Sequence, residues 1–189
     1  MNGKLIIICA PSGAGKTTIV RHILENIPSI EFSVSATNRK QRPTEINGHD
    51  YYFINTDDFT SKIAQGEFLE WEEVYPGTFY GTLKEEIHRI WNRGNNVIFD
   101  VDVEGGLNIK RHFGSKALLV FIQPPSLDVL KERLKNRATE TDKDYEVRVK
   151  KAAREMEYVK HADSVLVNDQ LDRAKADALK IVGNFLGVE

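Results

Sequence analysis

The stretch that decides the fold is Lys4–Ile27, which reads KLIIIC over residues 4–9, APSGAGKT over residues 10–17 and TIVRHILENI over residues 18–27. Lys4–Cys9 is dominated by a continuous apolar run, which is typical of a strand covered on both faces in a parallel sheet. Thr17–Ile27 follows with apolar side chains at helical spacing and ends before Pro28. The stretch therefore predicts a buried strand, a loop of small residues and an amphipathic helix in direct succession.

The same alternation of buried strands and helices continues along the chain. Further strands are predicted at Asn96–Val101, Ala117–Ile122 and Ser164–Val167. Helices are predicted at Leu83–Arg93 with a Thr82/Glu85 capping box, at Leu127–Asn136 with Ser126 as N-cap, at Tyr145–His161 and at Leu171–Leu186. This order favours an α/β fold in which helices flank both faces of a parallel sheet.

The interval between the first helix and Leu83 has a different character. It is polar, aromatic and strand-like, and the turn signals Asn47-Gly48 and Pro76-Gly77 interrupt it. A short helix is expected near Thr56–Gln65. We interpret residues 33–82 as a β-rich insertion into a core formed by residues 1–32 and 83–189, where a small substrate-binding unit would sit.

Composition excludes several classes of protein. The 189 residues carry 26 Lys and Arg against 28 Asp and Glu, and this near-neutral balance argues against a general nucleic-acid binder. The longest apolar runs are about six residues, far short of the roughly 20 that a membrane span needs. Cys9 is the only cysteine, which fits a reducing compartment, and no secretory signal is expected. The composition predicts a soluble cytoplasmic protein.

The strongest chemical signal is the loop after the first strand. It matches the phosphate-loop pattern G-x-x-x-x-G-K-[ST] at every position except the first, where Ala10 stands. Small residues let successive backbone N–H groups converge on phosphate oxygens, and the following helix N-terminus adds its positive dipole end. Lys16 would reach the β- and γ-phosphates, and the Thr17 hydroxyl would ligate Mg²⁺. The predicted triphosphate-binding residues are Ala10, Pro11, Ser12, Gly13, Ala14, Gly15, Lys16, Thr17 and Thr18.

This loop alone leaves switch GTPases, ATPases, small-molecule kinases and a glycine-rich turn without nucleotide all open. A second set of residues narrows the choice. Arg39 and Arg42, followed by Tyr51, make a plausible phosphate clamp because guanidinium groups bind phosphate oxygens in bidentate fashion. Together with Glu-Phe-Leu-Glu-Trp at residues 67–71, Tyr-Gly-Thr at residues 80–82 and Phe99–Gly105, this pattern closely resembles the guanylate kinase family along essentially the whole chain.

The resemblance implies a P-loop core with a nucleoside-monophosphate-binding insertion and a helical lid at about residues 133–150. It implies ATP-dependent phosphorylation of GMP, with deoxy-GMP as a further acceptor, in purine nucleotide metabolism and GMP recycling. Mg²⁺ would accompany ATP, with Thr17 as a ligand and Asp100 acting through water. The GMP phosphate would be held by Arg39, Arg42, Tyr51 and Tyr80, and the guanine by Ser35, Glu70, Thr82 and Asp102. Catalysis would fall to Lys16, Arg39, Arg137 and Arg148, with Arg133, Arg137 and Asn168 completing the ATP site.

The chemistry of guanine supports this assignment. Its N1 and exocyclic N2 are donors, and an ionised carboxylate is an acceptor only, so Glu70 and Asp102 would favour guanine over adenine. The simpler interpretations are a solvent-facing strand residue for Glu70 and a helix N-cap for Asp102. Residues 131–154 hold nine Lys and Arg against five Asp and Glu, and we expect a solvated helix face for Lys131, Lys135, Lys150, Lys151 and Arg154.

Three other functions compete with this one. Guanylate-kinase-like interaction modules do not catalyse, but they have degraded phosphate loops, and Gly15-Lys16-Thr17 is intact. A kinase with another acceptor would not need the guanine-reading set, and a switch GTPase would carry Asn-Lys-x-Asp, which is absent from the sequence. Departures from the usual family pattern at Ala10, Asn38, Gln41, Thr44 and Ala138 affect loop geometry more than charge. The oligomeric state is not predicted.

Overall fold

A computed structural model describes residues 3–135 and 142–188 of the chain. Its strands are β1 (Leu5–Cys9), β2 (Ile30–Phe32), β3 (Ala36–Thr37), β4 (Tyr52–Phe53), β5 (Phe68–Tyr75), β6 (Thr78–Leu83), β7 (Asn96–Val101), β8 (Ala117–Gln123) and β9 (Ser164–Val167). Its helices are α1 (Lys16–Asn26), α2 (Thr56–Ala64), α3 (Lys84–Asn92), α4 (Val103–Phe113), α5 (Leu127–Lys135), α6 (Asp142–Met156) and α7 (Leu171–Leu186).

The larger sheet has five parallel strands in the order β2-β7-β1-β8-β9. All five residues of β1 are buried, because alternate side chains enter two different cores. Ile6 and Ile8 pack on the side of α1 and α7, whereas Leu5, Ile7 and Cys9 pack on the side of α3 and α4. The prediction of an α/β fold with a parallel sheet is confirmed. Because the strands are parallel, the segments that follow β1, β7 and β9 meet at one edge of the sheet.

A second sheet of four strands, in the order β4-β3-β6-β5, lies within residues 36–83. It is mixed, since β3 runs parallel to β4 but antiparallel to β6. With α2 it encloses a small core of its own around Ala36, Phe59 and Phe68. The prediction of a β-rich stretch with one short helix is therefore confirmed.

Two helix starts test the capping predictions. Ser126 Oγ accepts the Val129 backbone N–H at 3.2 Å, so Ser126 caps α5 as predicted. The predicted capping box at α3 is wrong, because Leu83 occupies the N-cap without a side-chain bond and the Thr82 hydroxyl bonds a buried carboxylate instead.

The helix predicted to reach His161 ends at Met156, and residues 157–161 form a 3₁₀ turn. Among the described helices, none has the length and apolar character needed to cross a membrane.

Candidate active site

The phosphate loop connects β1 directly to α1. Gly13 and Gly15 have φ of 89° and 93°, a left-handed backbone conformation that glycine adopts without strain. At Gly15 a Cβ would also lie 2.5 Å from Asn168 Nδ2. That amide donates to the Ala14 carbonyl at 2.7 Å, so Asn168, predicted to line the adenine pocket, braces the loop from the end of β9. The loop thus has the strand–loop–helix geometry that presents backbone N–H groups to an anion.

Lys16 is fixed at the carboxyl end of the sheet by groups from β7. Its Nζ lies 2.8 Å from Asp100 Oδ1 and donates to the Val101 carbonyl at 2.6 Å. Burial lowers the pKa of Lys16, but the adjacent Asp100 carboxylate more than offsets this and leaves the pKa above its ordinary value. The Thr17 hydroxyl donates to Asp100 Oδ2 at 3.2 Å. The protonated Lys16 ammonium group therefore lies beside the Thr17 hydroxyl and the Asp100 carboxylate.

Arg39 does not present the open guanidinium fork that the sequence suggested. Its Nη1 and Nη2 donate to the two carboxylate oxygens of Glu45 at 2.7 and 2.6 Å, and its Nε donates to the Tyr80 hydroxyl at 3.1 Å. The guanidinium also lies over the ring of Tyr51, 4.9 Å from its centroid. Arg42 is largely exposed and faces the cleft. Glu45 therefore occupies the Arg39 fork in this structure, and the prediction that Arg39 and Arg42 bind a phosphate stays a prediction.

Glu70 and Thr82 form a buried pair across β5 and β6. Glu70 is 8% exposed and accepts the Thr82 hydroxyl at 2.6 Å, so the interpretation of Glu70 as a solvent-facing strand residue is wrong. Burial raises the pKa of Glu70 from 4.5 to about 7, and the nearby Asp102 carboxylate adds to that increase. Its second oxygen is so close to Gly105 that a Cβ there would lie 2.7 Å away. The pair thus places a closely packed carboxyl group at the cavity, and we refer to it as the Glu70 surface.

Asp102 serves as the N-cap of α4, as the simpler interpretation held. Its Oδ1 accepts the Gly105 N–H at 2.9 Å. Its Oδ2 lies 3.6 Å from the Nζ of Lys151. Capping occupies one carboxylate oxygen and fixes its orientation, the second oxygen pairs with Lys151, and both residues line the same cavity.

One cavity of about 400 Å³ brings most of the predicted residues together. Its lining includes residues 10–18, Ser35, Arg42, Tyr51, Glu70, Tyr80, Asp100, Asp102 and Arg148. Arg39, Thr82 and Asn168 do not line it, but each bonds a residue that does. Arg133 does not line it either, and donates to the Asn168 carbonyl at 3.2 Å. Arg137 lies outside the described residues. The cavity therefore joins the phosphate loop at one end to the Glu70 surface at the other.

Several residues of this site escaped the sequence analysis. Lys151 and Glu155 of α6 line the cavity, so the expectation that Lys151 belongs to a solvated face is wrong. Glu155 is 7% exposed, and burial raises its pKa to about 7. Glu72, two residues beyond Glu70 on β5, lines the same cavity. Only the i, i+4 spacing of Lys151 and Glu155 could have suggested a pair, and it does not say which way a helix faces.

Comparison with known proteins agrees with this geometry. The family model described as "Guanylate kinase" matches residues 2–184. The chain belongs to the guanylate kinase family. It is 47% identical over 186 residues to the guanylate kinase of Bacteroides fragilis, covering 98% of this chain and 91% of the relative. It is 46% identical to that of Salinibacter ruber over 183 residues, covering 97% of each. The crystal structure of guanylate kinase from Anaplasma phagocytophilum superposes with a TM-score of 0.78 at 26% identity, covering 96% of this chain and 85% of that one.

Membership in the guanylate kinase family establishes the reaction. The chain is an ATP:GMP phosphotransferase, which converts GMP to GDP with ATP as the phosphoryl donor.

Proposed function

We propose that the two ends of the central cavity are the two substrate sites of this reaction. ATP would place its phosphates on residues 10–18, and GMP would lie between Glu70 and the Arg42, Tyr51 and Tyr80 side chains. The observation that carries this proposal is the shared cavity, which connects a phosphate loop to a buried acceptor surface. Such an arrangement aligns a donor phosphate with an acceptor phosphate without a covalent intermediate.

The transfer itself needs positioning and charge neutralisation, because the GMP phosphate is already ionised at neutral pH. Lys16 would stabilise the charge that develops on the transferring phosphoryl oxygens, since Asp100 keeps it protonated and oriented. Arg148 lines the same cavity from α6 and would add a second positive charge. Arg137 of the predicted lid keeps the same proposed role, and closing of residues 133–150 over ATP would exclude water.

The residues around Thr17 fit a magnesium ion that enters with ATP. Among the described residues, no group of three or more His, Cys, Asp or Glu side chains could hold a metal by itself. The Thr17 hydroxyl and the Asp100 carboxylate nevertheless lie together at the phosphate loop, and oxygen ligands of this kind suit Mg²⁺ when the phosphates supply the rest. Thr17 would hold the ion and Asp100 would act through water. Bound there, Mg²⁺ would neutralise phosphate charge.

Guanine would be selected by acceptors that adenine cannot satisfy. Glu70 and Asp102 would accept from guanine N1 and N2, and Ser35 and Thr82 would complete the set, Thr82 through Glu70. Adenine has no N1 proton or 2-amino group to donate to these carboxylates, and the loss falls mainly on the buried Glu70, a penalty that can reject an analogue by orders of magnitude. None of these residues is assigned a contact with the ribose 2′-hydroxyl, so we expect deoxy-GMP to be accepted as well.

The proposed division of the chain follows the two sheets. Residues 1–32 and 83–189 would act as the ATP-binding core, and residues 33–82 as the GMP-binding insertion. Glu86 of α3 joins them, since it accepts the Val34 N–H at 3.2 Å and the Tyr52 hydroxyl at 3.1 Å. We expect this junction to carry the hinge between the two substrate sites.

ADP formation from ATP, measured with GMP, AMP, CMP or UMP as acceptor, tests the proposal. GMP should be preferred over AMP by orders of magnitude, and Lys16→Met should lower kcat by about three orders of magnitude or more. Lys180→Met, the same change at an exposed position of α7 away from the cavity, should leave kcat unchanged. Equal rates with AMP and GMP would refute the guanine assignment. No rate with any acceptor would favour an interaction module.

A further inference from the structure

A carboxylate assigned no role so far, that of Glu45, organises the part of the cavity where the GMP phosphate is proposed to bind. It accepts from both terminal nitrogens of Arg39 at 2.6 and 2.7 Å, and from the Arg42 backbone N–H at 2.8 Å. Its side chain is 13% exposed. These three short hydrogen bonds, two of them to a guanidinium and one to a backbone N–H, hold residues 39–45 around the Glu45 carboxylate.

The Arg39 donors show what this arrangement leaves available. A guanidinium has five N–H groups. Glu45 takes two of them, the Lys40 carbonyl takes one at 3.1 Å and the Tyr80 hydroxyl takes one at 3.1 Å. At most one Arg39 N–H therefore remains for a ligand, and Arg39 does not line the central cavity. Arg39 is therefore better suited to positioning the other phosphate-binding side chains than to binding the phosphate itself in bidentate fashion.

Tyr80 gains a defined direction from this bond. Because its oxygen accepts from Arg39 Nε, its own O–H proton is left to donate elsewhere. Tyr51 packs edge-on against Tyr80 with ring centroids 5.8 Å apart and lies under the Arg39 guanidinium. Both tyrosines line the cavity, as does Arg42, whose backbone Glu45 holds. Three side chains with donor groups thus line the same cavity, and contacts through Arg39 and the loop backbone connect each of them to Glu45.

We propose that Glu45 is a positioning residue for the acceptor phosphate, which orients Tyr80, Tyr51 and Arg42 through Arg39 and the loop backbone without touching the phosphate. This inference rests on the proposed GMP site. The opposite possibility is that Glu45 stands where the phosphate binds and competes with it. The structure favours positioning, because Glu45 is absent from the central cavity lining and lines instead the adjoining cleft against α1, which meets the cavity at Ser35 and Tyr51.

The test compares two ligands and two matched variants. Glu45→Gln removes the charge but keeps the shape, and Asp50→Asn makes the same change on a neighbouring carboxylate that bonds the Ile46 N–H and not an arginine. Equilibrium affinities for GMP and for guanosine, which lacks the phosphate, are measured for each, together with KM and kcat. Glu45→Gln should weaken GMP binding at least about tenfold and leave guanosine binding unchanged. Asp50→Asn should change neither.

The outcomes separate positioning from a merely structural role. Equal losses for GMP and guanosine would mean that Glu45 only supports the fold, and tighter GMP binding would mean that it competes with the phosphate; either result overturns the proposal, as does unchanged GMP binding. If Glu45→Gln does not fold, Glu45→Asp keeps the charge and should show a smaller loss, still confined to GMP. Failure of the unaltered protein to bind GMP would instead refute the proposed site itself.

Discussion

Replacing Glu70 by Gln should stabilise the protein above pH 7 while weakening GMP binding. Glu70 is 8% exposed, and burial raises its pKa from 4.5 to about 7 in the folded chain. The folded state therefore binds this proton more tightly than the unfolded state does. Stability is unaffected by Glu70 below pH 4.5, falls as the pH rises from 4.5 to 7, and stays reduced above pH 7.

The magnitude follows from the size of this change in pKa. Each pKa unit corresponds to about 1.4 kcal/mol, so ionising Glu70 costs the folded state about 3 kcal/mol. Gln keeps an oxygen that can accept the Thr82 hydroxyl but carries no charge. The free energy of unfolding of Glu70→Gln minus that of the unaltered protein should therefore grow by about 2 to 3 kcal/mol between pH 5 and pH 8.

Urea unfolding at pH 5 and pH 8 measures this difference, and Glu25→Gln, the same change at an exposed position of α1, is the control for the loss of a surface carboxylate, which should change the free energy of unfolding far less. GMP affinity of Glu70→Gln should fall by about two orders of magnitude, because an amide nitrogen would face guanine donors. A stability difference that is the same at both pH values would refute the claim that burial penalises the Glu70 charge. Undiminished GMP affinity would refute its role in binding guanine.

Two further substitutions probe the edges of the site. Gly105→Ala places a Cβ 2.7 Å from Glu70 Oε2, so it should displace this carboxylate and raise the KM for GMP about tenfold or more, while the KM for ATP stays unchanged. Steady-state kinetics with each substrate varied in turn measure both constants. An unaltered KM for GMP would contradict this prediction. Asn168→Ala removes the 2.7 Å hydrogen bond to the Ala14 carbonyl. It should raise the KM for ATP and lower the free energy of unfolding by about 1 to 3 kcal/mol. An increase in the KM for GMP alone would contradict the bracing role of Asn168.

The parts of the fold that the sequence predicts well are those decided locally. β1, the phosphate loop and α1 follow one another within residues 4–27, so apolar periodicity and two glycines are enough to place them. β9 and α7 have the predicted bounds for the same reason. Local signals fail where tertiary contacts compete for the same group. The Thr82 hydroxyl could cap α3, but Glu70 lies directly opposite on β5 and is buried, so it takes that donor.

The site was predictable as a set of residues and not as a set of contacts. The family pattern identifies Arg39 and Arg42, yet only the folded loop shows that Glu45 occupies the Arg39 fork. In the same way, the charge run of α6 does not show which of its lysines faces the cavity, because that depends on how the helix docks against Asp102. The spacing of residues in the sequence does not identify side chains that act through their neighbours.

The packing of Cys9 makes the protein well suited to site-specific labelling. It is the only cysteine, it is 1% exposed at the end of β1, and burial raises its pKa to about 12. Reaction with maleimides and similar reagents requires an accessible thiolate, which this residue does not supply in the folded state. A pair of surface cysteines, introduced one on each side of the cleft, would therefore take up fluorophores without removal of the native thiol. Energy transfer between the two dyes would then report the distance across the cleft during turnover.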